Sequence, residues 1–139
     1  MGIDGDRKMS KSLDNAIFLF EDEKTIHKKV YQMFTDPDHI RITDPGKIEG
    51  NVVFQFLDVF HTNKAELEDL KAHYQRGGLG DVFLKKMLTK DLNEVLEPIR
   101  IKRSSFSDED LKNILNDGTK FIQGIAKSNM GKIKDIIFQ

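Results

Sequence analysis

Residues 81–100 read DVFLKKMLTKDLNEVLEPIR, and the spacing of their apolar side chains decides the fold class. Leu84, Leu88, Leu92, Val95, Leu96 and Ile99 recur every three to four positions, with Phe106 on the same stripe. The stripe covers about a third of a helix circumference, which is what a core-facing helix needs. Pro98 falls inside the pattern, yet the apolar phase runs through it, so the spacing predicts one long kinked helix rather than two. Asp81 stands at its start as a cap candidate. The glycines just upstream, Gly77, Gly78 and Gly80, close the preceding helix, the first as a left-handed C-cap.

Helical spacing extends in both directions. Upstream, Leu67, Leu70 and Tyr74 form a stripe that opens at Asn63, with Glu66 three residues on as a variant capping box. Before it, Val52, Val53, Phe56, Leu57 and Phe60 predict a helix from about Glu49 to His61. Ile26, Val30, Met33 and Phe34 predict another, capped by Asp22 and stopped near Thr35 by Pro37. Residues 36–47, with two prolines, a glycine and three aspartates, read as a long loop. Ile17, Phe18, Leu19 and Phe20 are read as a buried segment without regular pairing. Downstream, Ser107 and Asp110 form a capping-box candidate. Leu111, Ile114, Leu115, Ile122, Ile125, Ala126, Met130 and Ile133 then stay in phase across Gly118, as one helix weakened there. Five helical stripes and no two-residue alternation predict an all-α bundle of at least four helices over residues 16–139, preceded by a loop segment at 1–15.

Composition narrows the function classes. With 139 residues, 38% hydrophobic and 32% charged, the chain can bury one real core. No apolar stretch approaches a membrane span, and the first twelve residues lack the apolar centre of a signal peptide. Zero cysteines exclude disulfides and thiolate zinc sites and suit a reducing cytoplasm. A net charge of −1 means that any nucleic-acid contact must come from a local patch.

The most specific chemistry lies in Lys8-Met9-Ser10-Lys11-Ser12. Two ammonium groups on flexible stems, three positions apart, suit a polyphosphate whose charge shifts during reaction. The serines add hydroxyl donors, and Met9 can lie on an apolar or aromatic surface such as a purine. Asp4, Gly5 and Asp6 before the run and Asp14-Asn15 after it bracket it with turn chemistry. A solvated lysine–serine loop without a partner is the plain alternative.

Lys8-Met9-Ser10-Lys11-Ser12 matches the second signature of the class I aminoacyl-tRNA synthetases, and the chain resembles the bacterial tryptophanyl-tRNA synthetase family. The resemblance continues through Lys24-Thr25-Ile26-His27-Lys28-Lys29-Val30, Thr35-Asp36, Pro45-Gly46, Gly77-Gly78-Leu79-Gly80 and Pro98-Ile99-Arg100, in family order, over essentially the whole chain. It implies that Lys8 and Lys11 contact the ATP phosphates and stabilise the leaving pyrophosphate, with Met9, Ser10 and Ser12 completing an ATP-binding loop. It implies ATP with Mg2+ as co-substrate, tryptophan and tRNA(Trp) as the other partners, and a parent homodimer formed through a catalytic domain. It also implies that the helical domain receives the anticodon arm. The family's first signature and its nucleotide-binding domain are absent from these residues. The chain is therefore expected to be the C-terminal part of a ligase, inactive and without bound cofactor by itself, its residues 1–15 mobile or held only by incidental contacts. Two rivals stand beside this reading: the corresponding part of a tyrosyl-tRNA synthetase, and a non-catalytic helical module whose basic face binds an acidic protein.

The remaining clusters carry less. His27, His39, His61 and His73 are too scattered for a local metal motif, and no metal site is expected. Glu21-Asp22-Glu23 is better explained by a helix dipole than by acid–base chemistry. Along the fourth helix Lys85, Lys86, Lys90, Arg100, Lys102 and Arg103 form a basic run, from which Lys86, Lys90, Arg100 and Arg103 are taken as candidate tRNA contacts.

Overall fold

A computed structural model describes residues 1–138 of the chain. Five α-helices and one short 3-10 turn, with no strand, make up the regular structure of the described residues. They are α1 (Glu23–Gln32), α2 (Val52–Phe60), α3 (Lys64–Arg76), α4 (Asp81–Ser104) and α5 (Asp108–Ile137), with the 3-10 turn at Lys11–Leu13. The all-α expectation holds. The chain divides into two compact units, Met1–Arg100 and Ile101–Gln139.

The first unit is built around α2. Val52, Val53, Phe54 and Leu57 are wholly buried, a broad buried arc that leaves Gln55, Asp58 and Val59 on the exposed face. Ile26 and Val30 of α1, Leu67 and Tyr74 of α3, and Leu84, Leu88, Leu92 and Leu96 of α4 complete the core. The four α4 leucines are those whose spacing defines its stripe. Phe54 meets the Tyr74 ring edge-on at 5.1 Å between centroids.

The helix ends follow from side-chain caps. Asp22 accepts from the Thr25 N–H, Asn51 from Val53, and Asn63 from Glu66, each satisfying an amide that the first helical turn leaves open. α2 begins at Val52 rather than near Glu49, because Gly50 adopts φ +82° and Asn51 takes the capping position. Asp81 is the first residue of α4 rather than its cap; its carboxylate accepts the Tyr74 hydroxyl at 2.9 Å. Gly77 has positive φ but extended ψ (83°, 160°), so it ends α3 outside the left-handed helical region. A Cβ there would also lie 2.3 Å from the Thr43 carbonyl oxygen. α4 runs unbroken through Pro98.

The second unit is essentially one helix. Ser107 and Asp110 form the expected reciprocal capping box, and α5 continues through Gly118 without interruption. None of its residues is buried, so its apolar stripe, with Ile114 60% and Ile122 59% exposed, has no cover.

Candidate functional site

Residues 2–16 form a loop whose base is fixed and whose tip is open. At the base Asn15 is buried, and its side chain bonds three other residues of the loop. Its Oδ1 accepts the Ser10 N–H at 2.8 Å, while its Nδ2 donates to Asp4 Oδ2 at 2.8 Å and to the Lys8 carbonyl at 3.3 Å. Asp4 in turn accepts the N–H groups of Asp6 and Arg7; the Asn15 amide and these N–H groups hold its carboxyl below the usual range. The Ile3 N–H bonds to the Asn15 carbonyl at 2.9 Å, and the Ile3 carbonyl receives the Phe34 N–H at 2.9 Å. Ile3 itself joins the core. A Cβ on Gly2 would lie 2.3 Å from the Asn15 amide, so only glycine fits beside it. The expectation of a segment held by incidental contacts is corrected here, because its stems are specifically bonded.

The tip behaves differently. Lys8, Met9, Lys11 and Ser12 are exposed and Ser10 half-buried. Ser10 and Ser12 share a hydroxyl hydrogen bond at 2.9 Å, and Lys11 starts the 3-10 turn that Asp14 closes in the left-handed region, φ 49°. The ammonium groups of Lys8 and Lys11 enter none of the hydrogen bonds or ion pairs seen among the described residues. Met9 reaches the rim of an apolar groove of about 410 Å³ that also takes in Ile17, Leu19, Phe56, Leu92 and Leu96. Leu19 and Phe20 are more than half exposed, which corrects the expected burial of that segment. Ile17 and Phe18 are half-buried.

Two lysines that the basic-residue count did not distinguish are taken up by the fold, Lys29 buried and Lys85 half-buried. Lys29 on α1 donates to the Ala16 carbonyl at 2.7 Å and to Glu21 Oε1 at 2.5 Å, and pairs with Asp14 Oδ1 at 3.2 Å. Its ammonium also lies 4.7 Å from the Phe18 ring centre. Burial works against its charge, but hydrogen bonds to Glu21 and Asp14 outweigh that, so its pKa is raised overall. Lys85 on α4 donates to the carbonyls of Tyr31 and Met33, both at 3.0 Å, at the open C-terminal end of α1. Burial lowers its pKa, partly offset by Asp81. A signal existed for Lys29: with Ile26, Val30 and Met33 it occupies a core-facing position of α1, where a cation needs partners.

The candidate RNA contacts divide between the two units. Lys86, Lys90 and Arg100 line one open groove with Glu23, Asn93 and Glu97. Lys86 and Lys90 are exposed, Lys90 lying 3.6 Å from Glu94. Arg100 is engaged internally: its guanidinium bonds Glu97 at 2.6 and 2.8 Å, Asn93 at 3.0 Å and the Glu21 carbonyl at 3.0 Å. Arg103 belongs to the second unit. Of the histidines, His61 pairs through Nδ1 with Asp91 at 2.8 Å, and His39 packs on the Tyr74 ring at 4.5 Å. Among the described residues, no group of three or more His, Cys, Asp or Glu side chains is placed to hold a metal ion, and no helix is long and apolar enough to cross a membrane.

Comparison with known proteins places this geometry. Residues 1–97 match the family described as tRNA synthetases class I (W and Y). The chain is 45% identical over 138 residues to the tryptophan–tRNA ligase of Clostridium longisporum, covering 98% of this chain and 40% of that protein. It is 47% identical over 137 residues to the ligase of Streptococcus pneumoniae TIGR4, covering 96% of this chain and again 40% of the relative. It superimposes on the crystal structure of tryptophanyl-tRNA synthetase from Campylobacter jejuni, complexed with ADP and tryptophan, with a TM-score of 0.84 and 31% identity. That match covers 99% of this chain and 43% of the other. The chain thus spans about two fifths of the length of the curated relatives it matches. A pinned loop presenting two open lysines, a helical body behind it and these likenesses converge: the chain belongs to the class I tRNA synthetases of the tryptophan and tyrosine type.

Proposed function

We propose that this chain supplies the phosphate-clamping loop and the tRNA-binding helical domain of a tryptophan–tRNA ligase. The observation that carries the reading is the contrast within residues 2–16. Asn15 fixes the base, whereas the two ammonium groups at the tip have no hydrogen-bond or ion-pair partner among the described residues. Cations left open on an ordered base suit a ligand of opposite charge. The named relatives are tryptophan ligases, which favours tryptophan over tyrosine as the amino acid.

In the whole enzyme a carboxylate oxygen of tryptophan attacks the α-phosphorus of ATP. A new P–O bond forms, the bond to the bridging oxygen breaks, and pyrophosphate departs with the electron pair. The magnesium carried on the phosphates belongs to the ATP substrate. Lys8 and Lys11 face the oxygens on which charge accumulates, and Met9, Ser10 and Ser12 complete the nucleotide contact. The tRNA's terminal hydroxyl then takes the aminoacyl group, releasing AMP. Lys86 and Lys90, the exposed cations of the α4 groove, and Arg103 contact RNA phosphates, while Arg100 stiffens the groove wall through its bonds to Glu97 and Asn93. The parent acts as a cytoplasmic homodimer joined through its catalytic domain.

The test uses the full-length enzyme. A donor aimed at developing charge is worth about 3 kcal/mol, on the order of a hundredfold in rate. Lys11→Ala should slow tryptophan-dependent pyrophosphate exchange by about that factor while weakening ATP binding much less. Transfer from preformed adenylate should change little, because pyrophosphate has already left. An exchange rate within about threefold of wild type, under roughly 1 kcal/mol, would remove the leaving-group role.

A further inference from the structure

We propose that Lys29 is a positioning residue for the lysine loop, acting through Asp14. The inference rests on the phosphate-clamp reading above and names a residue outside the loop that sets its geometry. All the partners seen for the Lys29 ammonium fall in residues 14–21: the Ala16 carbonyl, Glu21, Asp14 and the Phe18 ring. The lysine thus ties the stem leaving the loop to the rigid α1. A helix-borne ammonium with its three donors used holds that stem at a defined place.

Two of these contacts have different purposes. Glu21 is nearly buried, its side chain 12% exposed, and its other oxygen accepts the Phe18 N–H at 3.1 Å. That half of the cluster folds residues 16–21. Asp14 is the opposite case, with its side chain 83% exposed, so it adds little to packing. It is, however, the residue that ends the 3-10 turn carrying Lys11, its N–H bonded to the Lys11 carbonyl at 3.3 Å. A line of contacts therefore runs from α1 through Lys29 and Asp14 to the backbone of Lys11. The Lys29–Asp14 pair fixes the rear of the tip, and an error of an ångström there displaces the Lys11 ammonium from the charge it meets.

The experiment compares Asp14→Asn, Lys29→Met, the double variant and Lys11→Ala in the full-length enzyme. It reads kcat and KM for ATP in pyrophosphate exchange, together with the melting temperature. Asparagine tolerates the left-handed backbone at this position and removes only the charge. Asp14→Asn is expected to lower kcat about fivefold, with KM for ATP changed less than twofold and melting within about 2 °C of wild type. The double variant should be no slower than Lys29→Met alone, as two members of one contact require. If Asp14→Asn leaves kcat within twofold while Lys11→Ala slows exchange, the phosphate clamp stands and the positioning role falls. If kcat falls only together with the melting temperature, or the two single effects multiply in the double variant, Lys29 is structural alone. If Lys11→Ala itself has no effect, both readings fail.

Discussion

The Asp36 carboxylate accepts the Lys47 N–H at 2.7 Å and the Asp38 N–H at 3.0 Å, tying together the two ends of the loop between α1 and α2. The Lys47 N–H is the main reason its pKa falls below the usual 3.8, with burial opposing and the Asp38 N–H and Lys47 charge assisting. A carboxyl depressed on folding stabilises the fold fully above its unfolded pKa and loses that contribution as pH falls through the lower folded value. Asp36→Asn should therefore cost about 2 kcal/mol at neutral pH. The difference from wild type should shrink below pH 3.8, as urea titrations at several pH values would record. The same loop crosses the Tyr74 ring at Gly46, where a Cβ would sit 2.2 Å from a ring carbon. The tyrosine is locked by its bond to Asp81 and cannot retreat. Gly46→Ala should destabilise by about 2–3 kcal/mol in the same titration.

At the scale of the element, the helices differ in what supports them. Amides of α2, whose buried side chains centre the core, should exchange only on global unfolding. Those of α5, a helix with no buried residue, should exchange far sooner, and hydrogen-exchange mass spectrometry would separate the two. Local capping matters most where burial contributes nothing. Ser107→Ala removes the acceptor for the Asp110 N–H and should cost about 1 kcal/mol, read as lost protection in the first turn of α5. These elements also show what the sequence made legible. Apolar period and caps are local properties, so Asp22, Asn63 and Ser107 were readable as helix starts, and the α4 leucines as core. Asp81 was readable as the start of α4 but not as the partner of Tyr74, because its carboxylate serves that hydroxyl across a loop. Nor was the exposure of Leu19 and Phe20, since an apolar run does not state what covers it. In the site, Lys8 and Lys11 were legible as charge without partners. The part played by Asn15 depends on contacts to residues 4, 8 and 10 made only when the loop closes, and a turn-forming pair does not reveal them.

Over the whole molecule the buried core lies within the first hundred residues, and every described residue from Ile101 onward is exposed. A chain ending at Ser104 should accordingly keep the cooperative unfolding of that core. Guanidinium denaturation followed by circular dichroism would check this, with the total helical signal falling as α5 is removed.

The lysines fall into reagent classes. Lys8 and Lys11 stand in water, whereas Lys29 has a side chain 9% exposed and Lys85 spends its protons on the carbonyls of Tyr31 and Met33. An amine-selective acylating reagent attacks the unprotonated, reachable nitrogen. Although partial burial gives Lys85 the lowered pKa, its ammonium is held by two carbonyls, which slows its attack on the reagent. Brief acylation would then convert the loop's two cations to neutral amides while leaving both anchoring lysines intact, giving a folded protein with a discharged clamp. ATP added beforehand to the full-length enzyme should shield Lys8 and Lys11 and leave the exposed Lys86 as reactive as before, a footprint that peptide mass spectrometry would resolve residue by residue.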